Sequence, residues 1–151
     1  MSTGFEVRVV ERSEDLEACF AVRREVFVAE QGVPEELEYD ARDAGALHVL
    51  AVGADGPLGT GRLLTGIEED GVGSLGRLAV LKAARGLGVG VALVRAIEDA
   101  ARERGLTAVD LHAQTHALGF YERLGYAAYG PEFPDAGIAH RAMRRPLTLA
   151  D

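Results

Sequence analysis

The alternation of apolar and polar residues divides the chain into short strands and amphipathic helices. Residues 5–11 alternate with a period of two, which predicts a strand, and residues 13–30 repeat apolar side chains at helical spacing. Residues 88–104 form a second amphipathic pattern that ends at Gly105, a residue type that commonly terminates helices. Further strands are predicted at 46–53, 58–66, 74–81, 106–113, 126–133 and 138–147, with a short helix at 115–125.

The predicted element order is β-α-ββ-β-α-β-α-ββ, and this order indicates the fold class. A chain that combines hairpins with a β-α-β crossover forms a mixed sheet with helices on its faces, so we expect an α/β fold. No repeat or linker interrupts the 151 residues, which predicts one domain over 1–151. Residues 31–45 are polar and acidic and are predicted to form a connection.

Composition narrows the classes of function. A hydrophobic fraction of 48% and a charged fraction of 26% are typical of a globular protein. No apolar run reaches membrane-spanning length and no signal-peptide core is apparent, so we expect a cytoplasmic protein without a membrane partner. The net charge of −8 disfavours nucleic acid as a partner. Cys19 is the only cysteine, which excludes an intrachain disulfide, and we interpret it as a small buried hydrophobe.

Three glycines follow Arg85 at the junction between a predicted strand and the helix at 88–104. Gly86, Gly88 and Gly90 let the backbone curl so that successive N–H groups converge without a Cβ in the way. The first N–H groups of a helix have no intrahelical acceptor, and the helix dipole is positive there. The junction is therefore a candidate phosphate site, to which Arg85 would add a charge-assisted donor.

Two common phosphate motifs do not fit this junction. A P-loop requires Gly-Lys-Ser/Thr, whereas Gly90 is followed by Val91. The dinucleotide fingerprint requires G-x-G-x-x-G, whereas the spacing here is G-x-G-x-G. A glycine-rich helix entry that binds no ligand is the structural alternative.

Two segments together resemble a known family. Arg85-x-x-Gly88-x-Gly90, preceded by LAV and followed by an amphipathic helix, resembles the acyl-CoA pyrophosphate loop of the GCN5-related N-acetyltransferases, the GNAT family. The segment FYERLGY, residues 120–126, resembles the second signature of that family. The segments VRREVFVAEQG and EFPDAGIAHRAM add a resemblance to its ElaA-like and YjcF-like branch. The resemblance covers essentially the whole chain and implies the GNAT fold, in which the fourth and fifth strands splay apart.

The resemblance also implies an acetyl-CoA site along the fourth strand and the glycine-rich junction. Backbone groups of the strand would pair with the pantetheine amides, and one N–H would polarise the thioester carbonyl. The residues that the resemblance assigns to the acyl-CoA are Leu78, Ala79, Val80, Arg85, Gly86, Leu87, Gly88, Val89, Gly90, Gln114 and Tyr121.

Tyr121 is the candidate general acid, because a tyrosine hydroxyl near the sulfur can stabilise or protonate the departing thiolate. The structural alternative is a core aromatic, since Tyr121 shares helical faces with apolar neighbours. The base is open between a carboxylate, a histidine and water. The resemblance places the acidic connection and the last hairpin at the acceptor end of the cleft. The candidates there are Glu30, Glu38, Asp40, His48, Glu132 and His140, with Glu30 and His140 as catalytic candidates and all except His140 as acceptor contacts.

These candidates have structural alternatives as well. The acidic residues of the connection fit a solvated loop, and His48 fits a buried histidine within an apolar run. His112 and His116 fit surface positions. Asp110 and His112 share a strand face and could form a metal pair, but no third ligand is apparent, so no metal is predicted.

The function predicted from these residues is transfer of an acetyl group from acetyl-CoA to a primary amine of a small molecule or peptide. The amine would attack directly in a ternary complex, because no activated nucleophile is evident. The acidic connection favours a cationic acceptor, and the partner prediction leaves room for a homodimer. The alternatives are a non-catalytic acyl-CoA sensor and a nucleotide-binding α/β protein.

Overall fold

Seven strands form one mixed sheet in the order β1-β2-β3-β4-β5-β7-β6. The computed structural model describes residues 4–38, 40–66 and 70–147. Strands β4 and β5 pair in parallel, and the other neighbours pair antiparallel. The predicted element order and α/β fold class are confirmed. The strands are β1 (Phe5–Val9), β2 (Leu47–Gly53), β3 (Gly56–Thr65), β4 (Val72–Val80), β5 (Ala108–Gln114), β6 (Ala127–Asp135) and β7 (Ile138–Pro146).

The helices depart from the prediction at two places, and the simpler of the two is a short helix, Glu35–Glu38, that forms within the predicted connection. The pattern at 13–30 is not a single α-helix, because its second half winds as a π-helix, Arg24–Glu30, in which the N–H of Gln31 bonds the carbonyl oxygen of Val26 at 3.1 Å. Apolar periodicity does not separate these two windings over one or two turns. The α-helices are α1 (Ser13–Arg23), α2 (Glu35–Glu38), α3 (Val89–Glu103) and α4 (Leu118–Arg123), and single 3₁₀ turns form at Ala41–Gly45, Lys82–Ala84 and Thr115–Ala117.

Helix α3 packs on one face of the sheet and forms the main core. Leu93 and Ile97 are fully buried there. Two glycines of β3 allow the close approach of the helix. A Cβ on Gly59 would stand 2.9 Å from Leu93 Cδ1, and a Cβ on Gly61 would stand 2.9 Å from Ile97 Cδ1. Because side chains alternate along a strand, Thr60, the residue between these glycines, faces α1 on the other side of the sheet.

Strands β4 and β5 separate along half of their length. Their pairing ends at Leu75 and Leu111. Strand β4 nevertheless stays paired with β3 as far as Val80, and β5 stays paired with β7 as far as Gln114. The sheet therefore opens into a V between its two central strands, which is the splay that the resemblance implies.

A β-bulge lies at the start of this split. Thr60 pairs with Ala79 and Arg62 with Gly76, so two residues of β4 face one residue of β3. The first of the two, Arg77, has a φ of +51°, a left-handed conformation that is uncommon for a residue with a Cβ. The bulge turns β4 away from β5 and exposes backbone groups on the edge that faces the split.

Candidate functional site

A cleft of about 1320 Å³ runs along the split between β4 and β5. Its walls come from the end of β4, the glycine-rich junction, the end of β5, α4, the π-helix and the 31–45 connection. Of the seventeen residues that the sequence analysis assigned to acyl-CoA, catalysis or the acceptor, fourteen line it. They are Glu30, Glu38, Asp40, Leu78, Ala79, Val80, Arg85, Gly86, Gly88, Val89, Gly90, Gln114, Tyr121 and His140.

The glycine-rich junction forms an open cradle at the N-terminus of α3. Gly86 and Gly88 have φ values of +85° and +83°, and a Cβ on either would have no atom within 4 Å. The first helical bond of this turn runs from the N–H of Ala92 to the oxygen of Gly88, at 3.1 Å. The amides that precede Ala92 lack an intrahelical acceptor and lie at the positive end of the helix dipole. The cradle therefore suits the pyrophosphate of an acyl-CoA.

Arg85 is held beside the cradle by Glu30 from the end of the π-helix. Its two terminal nitrogens donate to the Glu30 carboxylate at 2.6 and 2.7 Å, and its Nε donates to the oxygen of Val80 at 3.1 Å. The hydrogen bond from Arg85 lowers the pKa of Glu30. A carboxylate with a lowered pKa is a weaker base, so this geometry favours a role for Glu30 in orienting Arg85 over the predicted role as catalytic base.

Gln31, the residue that follows Glu30, contacts β5 on the other side of the split. Gln114 is the last residue of β5, and its side-chain nitrogen Nε2 donates to the side-chain oxygen of Gln31 at 2.9 Å. The side-chain oxygen of Gln114 lies 2.6 Å from Nε2 of His116. Glu30 and Gln31 thus connect the end of the π-helix to both separated strands. Gln31 was not singled out from the sequence, because nothing in its local pattern indicates a contact with residue 114.

Tyr121 lies on α4 with its ring in the core and its hydroxyl at the cleft. The ring contacts Phe120 and Tyr126 in edge-to-face geometry, with centroids 5.0 and 5.9 Å apart. Among the described residues, its hydroxyl forms no hydrogen bond. Burial raises the pKa of Tyr121, so the hydroxyl stays protonated and can donate to a group that enters the cleft. The ring is therefore part of the core, as the structural alternative predicts, and the role of the hydroxyl as a general acid stays a prediction.

His140 lies on β7 opposite Gln114, where the split is open. Its Nδ1 is 2.7 Å from the carbonyl oxygen of Ile138. A carbonyl only accepts, so Nδ1 carries the hydrogen and the neutral ring keeps a lone pair on Nε2. The ring of Phe133 stacks on His140 and meets His112 edge-on, and His112 also lines the cleft. His112 is exposed, as its surface interpretation predicts, and the split that brings it to the cleft is not visible in the sequence.

The acidic connection does not form the solvated loop that was its structural alternative. Three of its carboxylates and three arginines make an ion-pair cluster (Arg23, Glu38, Asp40, Asp43, Arg62 and Arg77) on the sheet face that α1 covers. Arg23 is 1% exposed and Glu38 2% exposed. The cluster fixes the 31–45 connection onto β3 and β4 beside the bulge. Its charges balance, so the predicted preference for a cationic acceptor no longer follows from these carboxylates.

The contacts of the cluster are short. Arg23 donates to Glu38 at 2.5 Å and to Asp43 at 2.7 Å, while Arg62 donates to Asp43 at 2.7 Å and to Asp40 at 2.8 Å. Arg77 bonds the backbone oxygen of Glu38 at 3.1 Å. Glu38 and Asp40, predicted acceptor contacts, therefore line the cleft as members of a structural cluster.

We expect stability to depend on the ionisation of Asp43. Burial alone raises its pKa, but hydrogen bonds from Arg23 and Arg62 outweigh burial and lower the pKa from 3.8 to about 2. A lowered pKa stabilises the fold above about pH 4, and the contribution of about 2 kcal/mol is lost as the pH falls towards 2. The free energy of unfolding in urea should therefore be higher for the wild type than for Asp43→Asn at pH 4, and this difference should disappear as the pH falls to about 2. A difference that stays constant across this range would contradict the ionised pair.

Three predicted site residues lie outside the cleft lining. His48 is buried on β2, where its Nε2 donates to the oxygen of Asp43 at 3.0 Å and its ring meets Phe20. Glu132 is exposed on β6. Leu87, in the glycine-rich junction, is 47% exposed. His48 and Glu132 thus lie apart from the other candidates, because β2 lies two strands away from the split and β6 is an edge strand of the sheet, and their predicted acceptor contacts stay predictions.

Two features are absent from the described residues, a metal-binding cluster and a membrane-spanning helix. Within 4–38, 40–66 and 70–147, no three His, Cys, Asp or Glu side chains are grouped to hold a metal ion. The same part of the chain contains no helix with the length and hydropathy needed to cross a bilayer.

A split parallel strand pair that opens onto a helix N-terminus suits an extended, anionic ligand. A model of the acetyltransferase (GNAT) domain matches residues 10–147. The chain is 40% identical over 138 residues to the uncharacterized N-acetyltransferase YjcF of Bacillus subtilis, an alignment that spans 91% of this chain and 96% of that protein.

Solved structures agree with this assignment. Escherichia coli ElaA superposes with a TM-score of 0.83 at 26% identity, over 93% of this chain and 99% of that chain. An acyl-CoA N-acyltransferase from Pseudomonas aeruginosa superposes with a TM-score of 0.79 at 32% identity, over 93% and 97%. The chain belongs to the GNAT family of acetyltransferases, and the resemblance found in its sequence is confirmed. It is an acyltransferase that uses a CoA donor.

Proposed function

We propose that this protein transfers the acetyl group of acetyl-CoA to a primary amine of a small molecule or peptide. The observation that carries the proposal is the cleft itself, which joins an anion cradle, the open edge of β4 and a tyrosine hydroxyl that has no hydrogen-bond partner among the described residues. The pyrophosphate would occupy the cradle at Gly86 and Gly88, and the pantetheine arm would pair with the open edge of β4. The thioester would then lie where the two strands separate.

The chemistry follows from groups that line the cleft. The amine nitrogen attacks the thioester carbonyl carbon, a C–N bond forms, and the C–S bond breaks. A backbone N–H on the open edge of β4 polarises the carbonyl. The thiolate accepts a hydrogen bond from the hydroxyl of Tyr121. Because the raised pKa keeps that phenol protonated, it stabilises the thiolate mainly by hydrogen bonding and not by complete proton transfer.

His140 is the proposed acceptor of the proton that the amine loses. The bond from its Nδ1 to Ile138 directs the lone pair to Nε2, as a general base requires. The variant His140→Asn keeps a donor near the Nδ1 position and removes Nε2. We expect kcat to fall by about 10² or more, with little change in the KM for acetyl-CoA. Steady-state rates for the two proteins provide the comparison, and an unchanged kcat would assign the proton to water.

Ligand binding and turnover distinguish the proposed transferase from a nucleotide-binding protein and from an acyl-CoA sensor. A nucleotide-binding protein would be stabilised against heat by ATP or NAD more than by acetyl-CoA or CoA, because stabilisation follows affinity. An acyl-CoA sensor would be stabilised by acetyl-CoA but would release no CoA with any amine. We expect acetyl-CoA to give the largest thermal shift and a primary amine to release CoA from it. Stabilisation by ATP or NAD alone would reject the proposal.

The location and assembly of the protein rest on the sequence. A cytoplasmic location and a homodimer remain predictions, as does the preference for acetyl over longer acyl groups. Acyl-CoA donors of increasing chain length, compared at one amine, would measure that preference as a ratio of kcat/KM.

A further inference from the structure

A buried carboxylate that has no role in the proposed chemistry lies at the base of the split. Asp110, on β5, is 1% exposed and lines the cleft. It pairs in register with Ser74 of β4, one position before the last pair that joins the two strands. Because side chains alternate along a strand, Asp110 faces the side of the sheet opposite α3, as His112 does. Its side chain therefore lies on the same sheet face as the 31–45 connection, which the resemblance places at the acceptor end of the cleft.

The partners of Asp110 occupy only part of its capacity to accept hydrogen bonds. The hydroxyl of Tyr129 donates to both carboxylate oxygens, at 2.7 and 2.8 Å. Burial and the bond to Asp110 raise the pKa of Tyr129 to about 12, so this hydroxyl stays a donor. The guanidinium of Arg144 reaches Asp110 at 3.4 Å, a long contact. Two carboxylate oxygens offer about four lone-pair positions, so positions remain for another donor.

A second unused polar group stands beside this carboxylate. The hydroxyl oxygen of Ser74 is buried and, among the described residues, has no hydrogen-bond partner. Ser74 also lines the cleft. A buried hydroxyl without a partner is costly, and such a group commonly marks a position where a ligand or a water molecule binds. Asp110 and Ser74 together offer acceptor atoms at one point of the cleft wall.

We propose that Asp110 and Ser74 bind the ammonium group of the acceptor, which makes the acceptor a cationic primary amine. This inference rests on the proposed function. An ammonium has three N–H donors, which suit a carboxylate and a hydroxyl on adjacent strands. In contrast, each carboxylate of the ion-pair cluster accepts a bond of 2.5 to 2.8 Å from Arg23 or Arg62, whereas the guanidinium nearest Asp110 stands 3.4 Å away. Asp110 is thus the carboxylate that the sequence analysis considered only as half of a metal pair.

The chain contains a matched control for this carboxylate. Glu98, on α3, is 0% exposed and accepts a hydrogen bond from the hydroxyl of Tyr126 at 2.8 Å. It forms an ion pair with Arg145 at 3.0 Å. Asp110 and Glu98 are therefore each held by a tyrosine and by an arginine of β7, but Glu98 faces the core beneath α3 and does not line the cleft. The variant Glu98→Gln therefore measures how much stability is lost when a buried carboxylate outside the cleft loses its charge.

The test compares Asp110→Asn, Ser74→Ala and Glu98→Gln with the wild type. The acceptors are tyramine, putrescine and lysine, with acetyl-CoA as donor. We expect Asp110→Asn to raise the KM for the best amine about 10- to 100-fold, as the loss of a charge-assisted bond predicts, with the KM for acetyl-CoA unchanged. Ser74→Ala should raise the amine KM less without lowering the melting temperature. Glu98→Gln should lower the melting temperature and leave both KM values unchanged.

Calorimetry measures amine binding directly, so it tests the ammonium site even if no amine is acetylated. Tyramine should bind the wild type more tightly than tyrosol, which differs only in having a hydroxyl in place of the ammonium, and Asp110→Asn should remove this difference. If amines bind in this way but no acetyl transfer occurs, the proposed function fails and the ammonium site stands. An amine KM equal to the wild-type value in both Asp110→Asn and Ser74→Ala would overturn the site and leave the proposed function intact. Failure of all three amines to bind the wild type would also overturn the site.

Discussion

Gly88→Val abolishes the binding of acetyl-CoA and leaves a folded protein. The φ of +83° and the open space at this position mean that a valine side chain projects into the cradle at the start of α3. Its methyl groups would occupy the position of the pyrophosphate and keep the anion away from the helix amides. We expect calorimetry to detect no binding of acetyl-CoA at concentrations that saturate the wild type.

The same helix provides the control for backbone strain. Gly105, just beyond the C-terminal end of α3, has a φ of +76° and likewise has nothing within 4 Å of a Cβ. Gly105→Val therefore carries a similar left-handed cost, roughly 1–2 kcal/mol, without approaching the cleft. The two variants should melt at similar temperatures, yet only Gly88→Val should lose acetyl-CoA. Retained affinity in Gly88→Val would remove the cradle from the site.

Tyr121→Phe lowers kcat by about 10²–10⁴, the range expected for loss of a group that assists departure. The variant keeps the ring and therefore its contacts with Phe120 and Tyr126. The lost hydroxyl forms no hydrogen bond within the described residues, so the melting temperature should not change. Steady-state rates with acetyl-CoA and one amine, measured beside a melting curve, provide the test.

Tyr126→Phe should show the opposite pattern. The hydroxyl of Tyr126 donates to Glu98 at 2.8 Å, beneath α3 and away from the cleft. Its removal should cost about 1 kcal/mol or more of stability, because Glu98 loses one of its donors, and should leave kcat unchanged. If Tyr121→Phe loses stability and keeps kcat, then Tyr121 is a core aromatic and its hydroxyl has no part in the reaction.

The sequence predicted those parts of the fold that are encoded by neighbouring residues. Apolar periodicity located the strands and the face of α3, and the glycines at 86, 88 and 90 located the cradle. Each of these signals lies within about 20 consecutive residues. Periodicity did not distinguish the π-helix from an α-helix, because both windings bury similar faces over one or two turns.

Contacts between distant residues were not predictable in the same way. The partners of Arg23 lie 15 and 20 residues away, and Arg85 meets Glu30 across 55 residues. A sequence with charges at these positions fits a solvated loop equally well, since charge pairing requires the folded chain. The role of Asp110 was missed for a related reason. Its environment is set by Ser74 on β4, Tyr129 on β6 and Arg144 on β7, which lie 36, 19 and 34 residues away from it.

The kinetic order of the reaction tests the proposed function most directly. Initial rates of CoA release are measured over a matrix of acetyl-CoA and amine concentrations, with the acetylated amine identified by its mass. Direct attack in a ternary complex predicts double-reciprocal lines that intersect, together with one acetylated amine for each CoA released. Parallel lines would indicate a covalent acetyl-enzyme, which contradicts direct attack. The absence of an acetylated amine at any concentration would contradict the transferase itself.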